Sequence, residues 1–258
     1  MLIDTHAHLT DEEFGGAKDI IDNMKADGLE RIISVGYDLE SSEGSLKLSE
    51  QNQAVYCAVG YHPSEIGRMT DDGLDKLFAL SKNEKCVAIG EIGLDYHYPD
   101  TNKPVQHDGL DKMFELAENS GLPVIFHIRE ADGDMLKKVK DNIGKFKAGG
   151  VVHCFSGSKE TALEYIKLGF YVSFTGVISF RNAEKFPEII KALPRDRILI
   201  ETDCPYLAPP PHRGEINYPK YVKYQAERIA DILGEKVGEV ERFTTENAYR
   251  LFAKMKRA

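Results

Sequence analysis

Asp4-Thr5-His6-Ala7-His8 follows the apolar pair Leu2-Ile3 and reads as the end of a first β-strand. Side chains on a strand alternate between its two faces, so His6 and His8 point the same way, ~6.5 Å apart along the strand. Two imidazoles at that spacing can grip one metal ion. Taken alone, the pair also suits a half-exposed polar strand. Its reading turns on whether further ligands arrive at the ends of other strands, and several do.

Working outward, short apolar runs rich in β-branched residues alternate with longer amphipathic stretches. The strand candidates are Leu2–Thr5, Arg31–Val35, Val55–Gly60, Val87–Glu91, Pro123–His127, Val151–Cys154, Tyr171–Phe174 and Ile198–Thr202. The clearest helical patterns are Leu39–Asn52, Pro104–Ser120, Ala131–Ile143, Lys159–Leu168 and Ala183–Leu193, with two more near Tyr221–Leu233 and Val237–Met255. Pro104 suits a first helical position, and Gly121 and Gly169 stand where helix-ending glycines belong. Eight strands at about 32 residues per βα unit predict a (β/α)8 TIM-type barrel, α/β in class. With no linker, repeat or low-complexity tract, residues 1–258 are expected to form a single domain. The proline-rich run Pro205–Pro219 after the last strand is long for a compact domain, and such loops are often functional.

The composition bounds the partners. The chain has 258 residues, 42% of them hydrophobic, and a formal net charge of −9. No extended basic face is evident, which argues against sequence-independent wrapping of a long duplex. Any anionic substrate must be held by local charge. The four cysteines, Cys57, Cys86, Cys154 and Cys204, form no CxxC pair, which points to reduced thiols and a cytoplasmic location. No signal peptide and no apolar run of 18 residues is visible, so no membrane span is expected, and no obligate protein partner is evident.

In such barrels chemistry collects at the carboxyl ends of the strands. Strand one ends in His6 and His8, strand four in Glu91 to Asp95, strand five in His127-Ile128-Arg129, strand six in His153 to Gly157, and strand eight in Glu201-Thr202-Asp203. A lone histidine at a strand end is commonly a hydrogen-bonded structural residue, but agreement among five ends points to a metal site. His6, His8 and Asp203 would hold one divalent ion, His127 and His153 a second, and Glu91 could bridge them. Imidazole and carboxylate donors suit Mg, Mn or Zn. Two such ions, two carboxylates and a hydroxide leave a net charge of about +1, which attracts a phosphodiester and supplies a nucleophile near neutral pH.

These residues sit in motifs of a known family. DTHAHL (Asp4–Leu9), VGYHP (Val59–Pro63), GEIGLDY (Gly90–Tyr96), HIREA (His127–Ala131), HCFSG (His153–Gly157), ETDCPYLAP (Glu201–Pro209), RGEINYP (Arg213–Pro219) and ENAYRLF (Glu246–Phe252) occur in family order across nearly the whole chain. The sequence resembles the TatD-type metal-dependent deoxyribonucleases, amidohydrolase-like metal-dependent hydrolases. The resemblance implies a (β/α)8 barrel, a divalent-metal site and hydrolysis of nucleic-acid phosphodiesters, often as a 3′→5′ exonuclease acting on single-stranded DNA ends. It also implies that Asp203 is catalytic, orienting or deprotonating the attacking water.

Other residues carry two readings. Arg129 could clamp a phosphate in a bidentate fork or form a surface ion pair. Ser156 could offer its hydroxyl to a phosphate or belong to a plain turn. His62 could approach substrate rather than metal. Glu201 shares the parity of Asp203 and could steer a ligand imidazole. Arg213 and Asn217 could shape the pocket or cap a helix. His97, His107 and His212 lack convergent partners and read as surface. Cys154 and Cys204 alternate away from the ligands and read as small buried hydrophobes.

Two rivals to a nuclease remain. A metal-dependent amide or ester hydrolase acting on a small molecule would often carry a bridging modified lysine on strand four, and no lysine lies between Ala88 and Gly93. A non-catalytic, metal-stabilised interaction module would have little use for so many ligands around an open site.

Overall fold

The computed structural model describes residues 1–257. Eight parallel strands run in chain order: β1 (Leu2–Ala7), β2 (Leu29–Val35), β3 (Val55–Val59), β4 (Cys86–Asp95), β5 (Val124–Arg129), β6 (Gly150–Val152), β7 (Tyr171–Phe174) and β8 (Ile198–Ile200). Helices alternate with them: α1 (Lys18–Asn23), α2 (Leu39–Gln51), α3 (Asp71–Ser81), α4 (Lys103–Ser120), α5 (Asp132–Asp141), α6 (Lys159–Lys167), α7 (Phe186–Ala192), α8 (Val222–Leu233) and α9 (Val237–Leu251). The sheet curls into a nearly closed barrel, the arrangement the strand spacing predicts. The seam between β8 and β1 is joined by a single bridge, Ala7 to Cys204.

The core falls into two parts. The larger lies between strands and helices and takes the outward-facing strand residues, such as Leu2, Ile89, Val124, Phe126 and Ile200. The smaller fills the lower barrel interior with Ile3, Ile33, Val87, Ile125, Val151, Tyr171 and Leu199. Ala248, Leu251, Phe252 and Met255, at and after the end of α9, plug its base. The barrel is therefore plugged below, with Arg31 at the amino end of β2 donating to Lys256 O, and a second polar layer lies toward the carboxyl ends of the strands.

That upper layer depends on irregularities in two strands. Ile3 lies inside and Leu2, Ala7 and Leu9 outside, so strict alternation from Ile3 would send His6 outward. A register shift between Asp4 and Ala7 changes the phase, as a bulge does, and turns His6 inward. A second shift, between Ile89 and Ile92, does the same on β4, leaving Glu91 on the inner face with Ile92 and Leu94 outside. Beyond it, β4 presses so closely on β5 that a Cβ on Gly93 would lie 1.8 Å from the carbonyl oxygen of His127. With φ at +158°, only glycine suits that position.

Several boundaries differ from the sequence reading. Strand four runs to Asp95, so Asp95 belongs to the strand that carries Glu91. Strands six and eight stop at Val152 and Ile200, so His153, Glu201 and Asp203 occupy the loops just past them. The last helix ends at Leu251 rather than Met255. Helix α3, not singled out in the sequence, starts where the Thr70 hydroxyl accepts the Gly73 N–H.

Candidate metal centre

The polar upper interior brings together donors from five strand ends. His6 Nε2 and His8 Nε2 lie 3.3 Å apart, and Asp203 Oδ1 stands 3.7 and 3.4 Å from them. Across the opening, His127 Nδ1 and His153 Nε2 also approach to 3.3 Å. Glu91 lies between the two groups and divides its carboxylate. Its Oε1 is 2.6 Å from His127 Nδ1 and 2.9 Å from His153 Nε2. Its Oε2 faces His6 Nε2 at 3.4 Å and His8 Nε2 at 3.8 Å. His6, His8 and Asp203 thus form one compact donor set, and Glu91, His127 and His153 another.

The far ring nitrogens decide what the near ones can do. His8 Nδ1 lies 3.0 Å from the Val35 carbonyl oxygen, which only accepts, so Nδ1 carries the hydrogen and Nε2 is left with a lone pair. His153 Nδ1 donates to Glu201 Oε1 at 3.2 Å, and His127 Nε2 donates to Asp95 Oδ2 at 3.1 Å. Three of the four imidazoles are thereby held with a lone-pair nitrogen turned into the cluster, the pattern that outer partners impose on metal-binding histidines. His6 Nδ1 is buried without a hydrogen-bond partner. Nitrogen lone pairs packed at 3.3 Å repel unless a proton or a cation lies between them. This donor set fits divalent cations.

The charges around the cluster are correspondingly stressed. Burial alone would raise the Glu91 carboxyl, but the imidazoles of His153 and His127 hold it well below the usual range. Burial would likewise raise Asp203, and His8, with His153 and His6, brings it below its ordinary value. Burial disfavours a charged His153, yet Glu91 and Glu201 push it well above the ordinary imidazole value. Burial and the neighbouring His153 lower His6.

Asp203 owes its position to the β8–β1 seam. Its N–H donates to the His6 carbonyl at 2.9 Å, and the His8 N–H donates to Cys204 O at 2.8 Å. Its φ of +59° lies in the left-handed region, which asparagine and aspartate tolerate better than most. Asp4, to which the sequence assigns no role of its own, and Asn217, read as shaping the pocket or capping a helix, support it. Asp4 is fully buried and accepts the Thr202 N–H at 2.9 Å and the Thr202 hydroxyl at 2.5 Å. Burial pushes Asp4 up to about 8, against the pull of those donors. Asn217 donates to Thr202 O at 2.9 Å and Tyr206 O at 2.6 Å, tying down the chain on both sides of Asp203. Asp95 is the other addition, and its signal was available: it lies four residues beyond Glu91, on the same strand and with the same parity.

The remaining candidates lie around this cluster. Glu201 is buried and also accepts the Cys154 N–H at 2.7 Å. His62 sits at the rim with its ring 4.3 Å from that of His127. Its Nδ1 accepts the Ser64 N–H at 3.1 Å, so Nε2 is a donor, 3.9 Å from Glu91 Oε1. Burial, with His127 beside it, pushes His62 down to about 3, so the ring is a neutral donor. Arg129 is exposed at the end of β5, its guanidinium 5.7 Å over the Tyr98 ring. Among the described residues no ion pair engages it. Ser156 is exposed in the loop after β6, and its carbonyl accepts from Lys185. Arg213 lies 3.8 Å over Phe180 and donates to Ala208 O, holding the last loop rather than entering the cluster. Cys154 and Cys204 coordinate nothing within these donor sets.

The three histidines read as partnerless surface residues do have partners. His97 Nδ1 lies 2.7 Å from Glu130 Oε1, His107 Nε2 lies 2.7 Å from the Tyr96 hydroxyl, and His212 stacks on Tyr221 at 4.1 Å. Single-sequence parity could not show these contacts, because each crosses between loops or elements. All three remain outside the donor sets. Among the described residues no helix is long and apolar enough to cross a membrane.

Residues 3–253 match the family model described as TatD related DNase. An uncharacterized metal-dependent hydrolase of Bacillus subtilis, YabD, is 44% identical over 98% of this chain and 99% of its own length. A Cronobacter sakazakii protein named as a 3′-5′ ssDNA/RNA exonuclease, TatD, is 30% identical over 98% of both chains. The crystal structure of YjjV, a TatD homologue from Escherichia coli K12, superposes with a TM-score of 0.92 at 30% identity, covering 98% of each chain.

Proposed function

The chain belongs to the TatD-related DNase family of metal-dependent hydrolases, and from that premise we propose that it hydrolyses nucleic-acid phosphodiesters, working as a 3′→5′ deoxyribonuclease on single-stranded ends. The observation that carries the proposal is the divided carboxylate of Glu91, with one oxygen on each donor set. That arrangement would suit two divalent ions, Mg, Mn or Zn: His6, His8 and Asp203 would hold one, His127 and His153 the other, and the Glu91 carboxylate would be available to both. When bound, such ions supply positive charge to a phosphoryl group and acidify water.

The chain's own residues do the rest. Asp203, kept ionised by the imidazoles around it and partly open to the mouth, accepts the proton of the attacking water. Arg129, exposed at the end of β5, grips phosphate oxygens from that side. His62 offers its Nε2–H from the rim, and Ser156 its hydroxyl from the loop after β6. Glu201 and Asp95 keep His153 and His127 turned toward the cluster. The plugged base of the barrel leaves the upper mouth as the way in, and residues 1–258 act together as one barrel domain.

The deciding experiment incubates chelator-stripped protein with end-labelled single-stranded DNA, RNA and a small ester substrate, adding back one metal at a time. Metal-restored shortening of DNA from its 3′ end is expected. Turnover of the ester with neither nucleic acid touched would favour the small-molecule hydrolase and overturn this reading.

A further inference from the structure

Two tyrosines stand exposed at the mouth of the barrel on opposite sides of the cluster. Tyr206 is 49% and Tyr98 54% exposed. Single exposed aromatics are ordinary on a protein surface, so exposure alone carries nothing. Position does. Tyr206 comes three residues after Asp203, in the loop leaving β8, and its ring centroid lies 6.0 Å from that of His8. Tyr98 comes three residues after Asp95, in the loop leaving β4, with the Arg129 guanidinium 5.7 Å over its ring. In a ring of eight strands in chain order, the β8–β1 seam and the β4–β5 pair face each other across the mouth. Tyr206 thus stands beside the His8 ring of one donor set, and Tyr98 lies in the loop beyond the strand pair that carries the other, against Arg129.

The Tyr206 ring is also fixed before any ligand arrives. Its hydroxyl donates to Asp11 Oδ2 at 2.8 Å, and its carbonyl accepts from Asn217 at 2.6 Å. Asp11 is held in turn, accepting the Glu13 N–H at 2.9 Å. A ring pinned at both ends loses little conformational freedom when something stacks on it.

We infer that Tyr206 and Tyr98 are stacking platforms for the two nucleobases that flank the phosphate held at the cluster. The inference rests on the nuclease reading and deepens it. A protein with a net charge of −9 gains little overall attraction for a polyanion, whereas most single-strand binders track the backbone with a basic groove. Base stacking supplies affinity without such a groove, and every base has a π-face, so the grip is indifferent to sequence. Bases inside a duplex are already stacked on their neighbours. The platforms therefore select unpaired ends, and a blunt duplex must fray to be used.

The test measures kcat and KM of wild type, Tyr206→Leu, Tyr98→Leu and Tyr206→Trp on two single-stranded oligonucleotides. One carries normal bases, and the other has abasic sugar-phosphates at its two 3′-terminal positions. With normal bases, each leucine variant should raise KM about 5- to 140-fold, which corresponds to about 1–3 kcal/mol per stacked base. On the abasic strand the leucine variants should match wild type, because the partner base is already missing. Tyr206→Trp should keep the wild-type KM. The native chain contains no tryptophan, so the fluorescence of this variant should also be quenched by the normal strand and not by the abasic one. An unchanged KM in both leucine variants would overturn the inference. So would a loss of equal size on the abasic strand, which would make the rings structural. If wild type cleaves no nucleic acid with any divalent metal, the nuclease reading itself fails, and the base-stacking role goes with it.

Discussion

His127 Nε2 lies 3.1 Å from Asp95 Oδ2, and this contact determines which face of the ring meets the cluster. Burial would raise Asp95, but His127 and the His97 N–H hold it below its ordinary value, so it is a carboxylate that accepts. Nε2 therefore carries the hydrogen, and Nδ1 is free for a cation. Removing the acceptor with Asp95→Ala should weaken divalent-metal binding by about 10- to 100-fold, with Asp95→Asn intermediate because its amide oxygen can still accept. Calorimetric titration of stripped protein with Mn or Zn reads this directly. Affinity unchanged in the alanine variant would reduce Asp95 to a bystander.

Metal removal should be visible in stability as well as activity. The folded chain assembles buried carboxylates and imidazoles that the unfolded chain disperses, so an ion binds the native state almost exclusively. At a free concentration 100 times the dissociation constant, one such ion adds about 2.7 kcal/mol, a rise in Tm of roughly 5–10 °C for a chain of this size. Scanning calorimetry in chelator and in excess Mn gives the difference. Glu91→Gln, which loses the carboxylate shared by both sets, should abolish most of it. Identical melting in both conditions would mean the cluster holds no ion tightly.

Much of this was legible from residue types and their spacing. Alternation and turn residues gave eight strands, and the ends of those strands gave every member of the two donor sets. What escaped was set by contacts distant in sequence. Within its own strand Asp4 accepts the His6 N–H, and its task of receiving both donors of Thr202 exists only once β8 lies beside β1. The inward turn of His6 relies on the register shift after Asp4, which parity counted along one strand does not contain. Asp95 falls within the strand-four end that the sequence shows, but its contact with His127 appears only when β4 continues to Asp95 beside β5. Helix α3 was overlooked because Asp71, Asp72, Asp75 and Lys76 dilute its apolar stripe.

Asp4 gives a prediction about the seam. Its carboxyl group is buried and accepts hydrogen bonds from Thr202 and, at 3.3 Å, from the His6 N–H. Asp4→Ala strands these buried donors, at about 1–3 kcal/mol each, so urea unfolding in chelator should show a loss of about 3 kcal/mol or more. The loss should appear without any metal, which separates it from an effect on ion binding. A stability within experimental error of wild type would mean that the seam is held by the backbone contacts of Ala7, His8 and Cys204 alone.

Arg129→Ala should leave the fold and metal content intact, since the side chain is exposed and its contact is with the Tyr98 ring. If the guanidinium grips phosphate, losing that charge-assisted pair should lower kcat/KM for DNA by about 2–3 kcal/mol. Kinetics with metal analysis on the same preparation decide it. Unchanged kinetics would leave Arg129 a surface residue stacked on Tyr98.

Asp203→Asn should be nearly inactive yet folded. Asparagine fills the same volume and tolerates the left-handed φ of +59° found there, and the backbone bond from residue 203 to His6 O does not involve the side chain. Circular dichroism and melting in chelator should therefore match wild type, in contrast to Asp4→Ala. Metal affinity should fall only modestly, because His6 and His8 remain 3.3 Å apart with Nε2 of each turned inward. The amide, however, has no basic oxygen with which to accept the proton of water. General-base catalysis contributes ~10²–10⁴-fold, and turnover should drop at least that far at saturating metal. Should saturating metal restore wild-type turnover, Asp203 would be a ligand only. Glu201 would then be the next base to test, although its carboxylate is engaged by His153 and the Cys154 N–H.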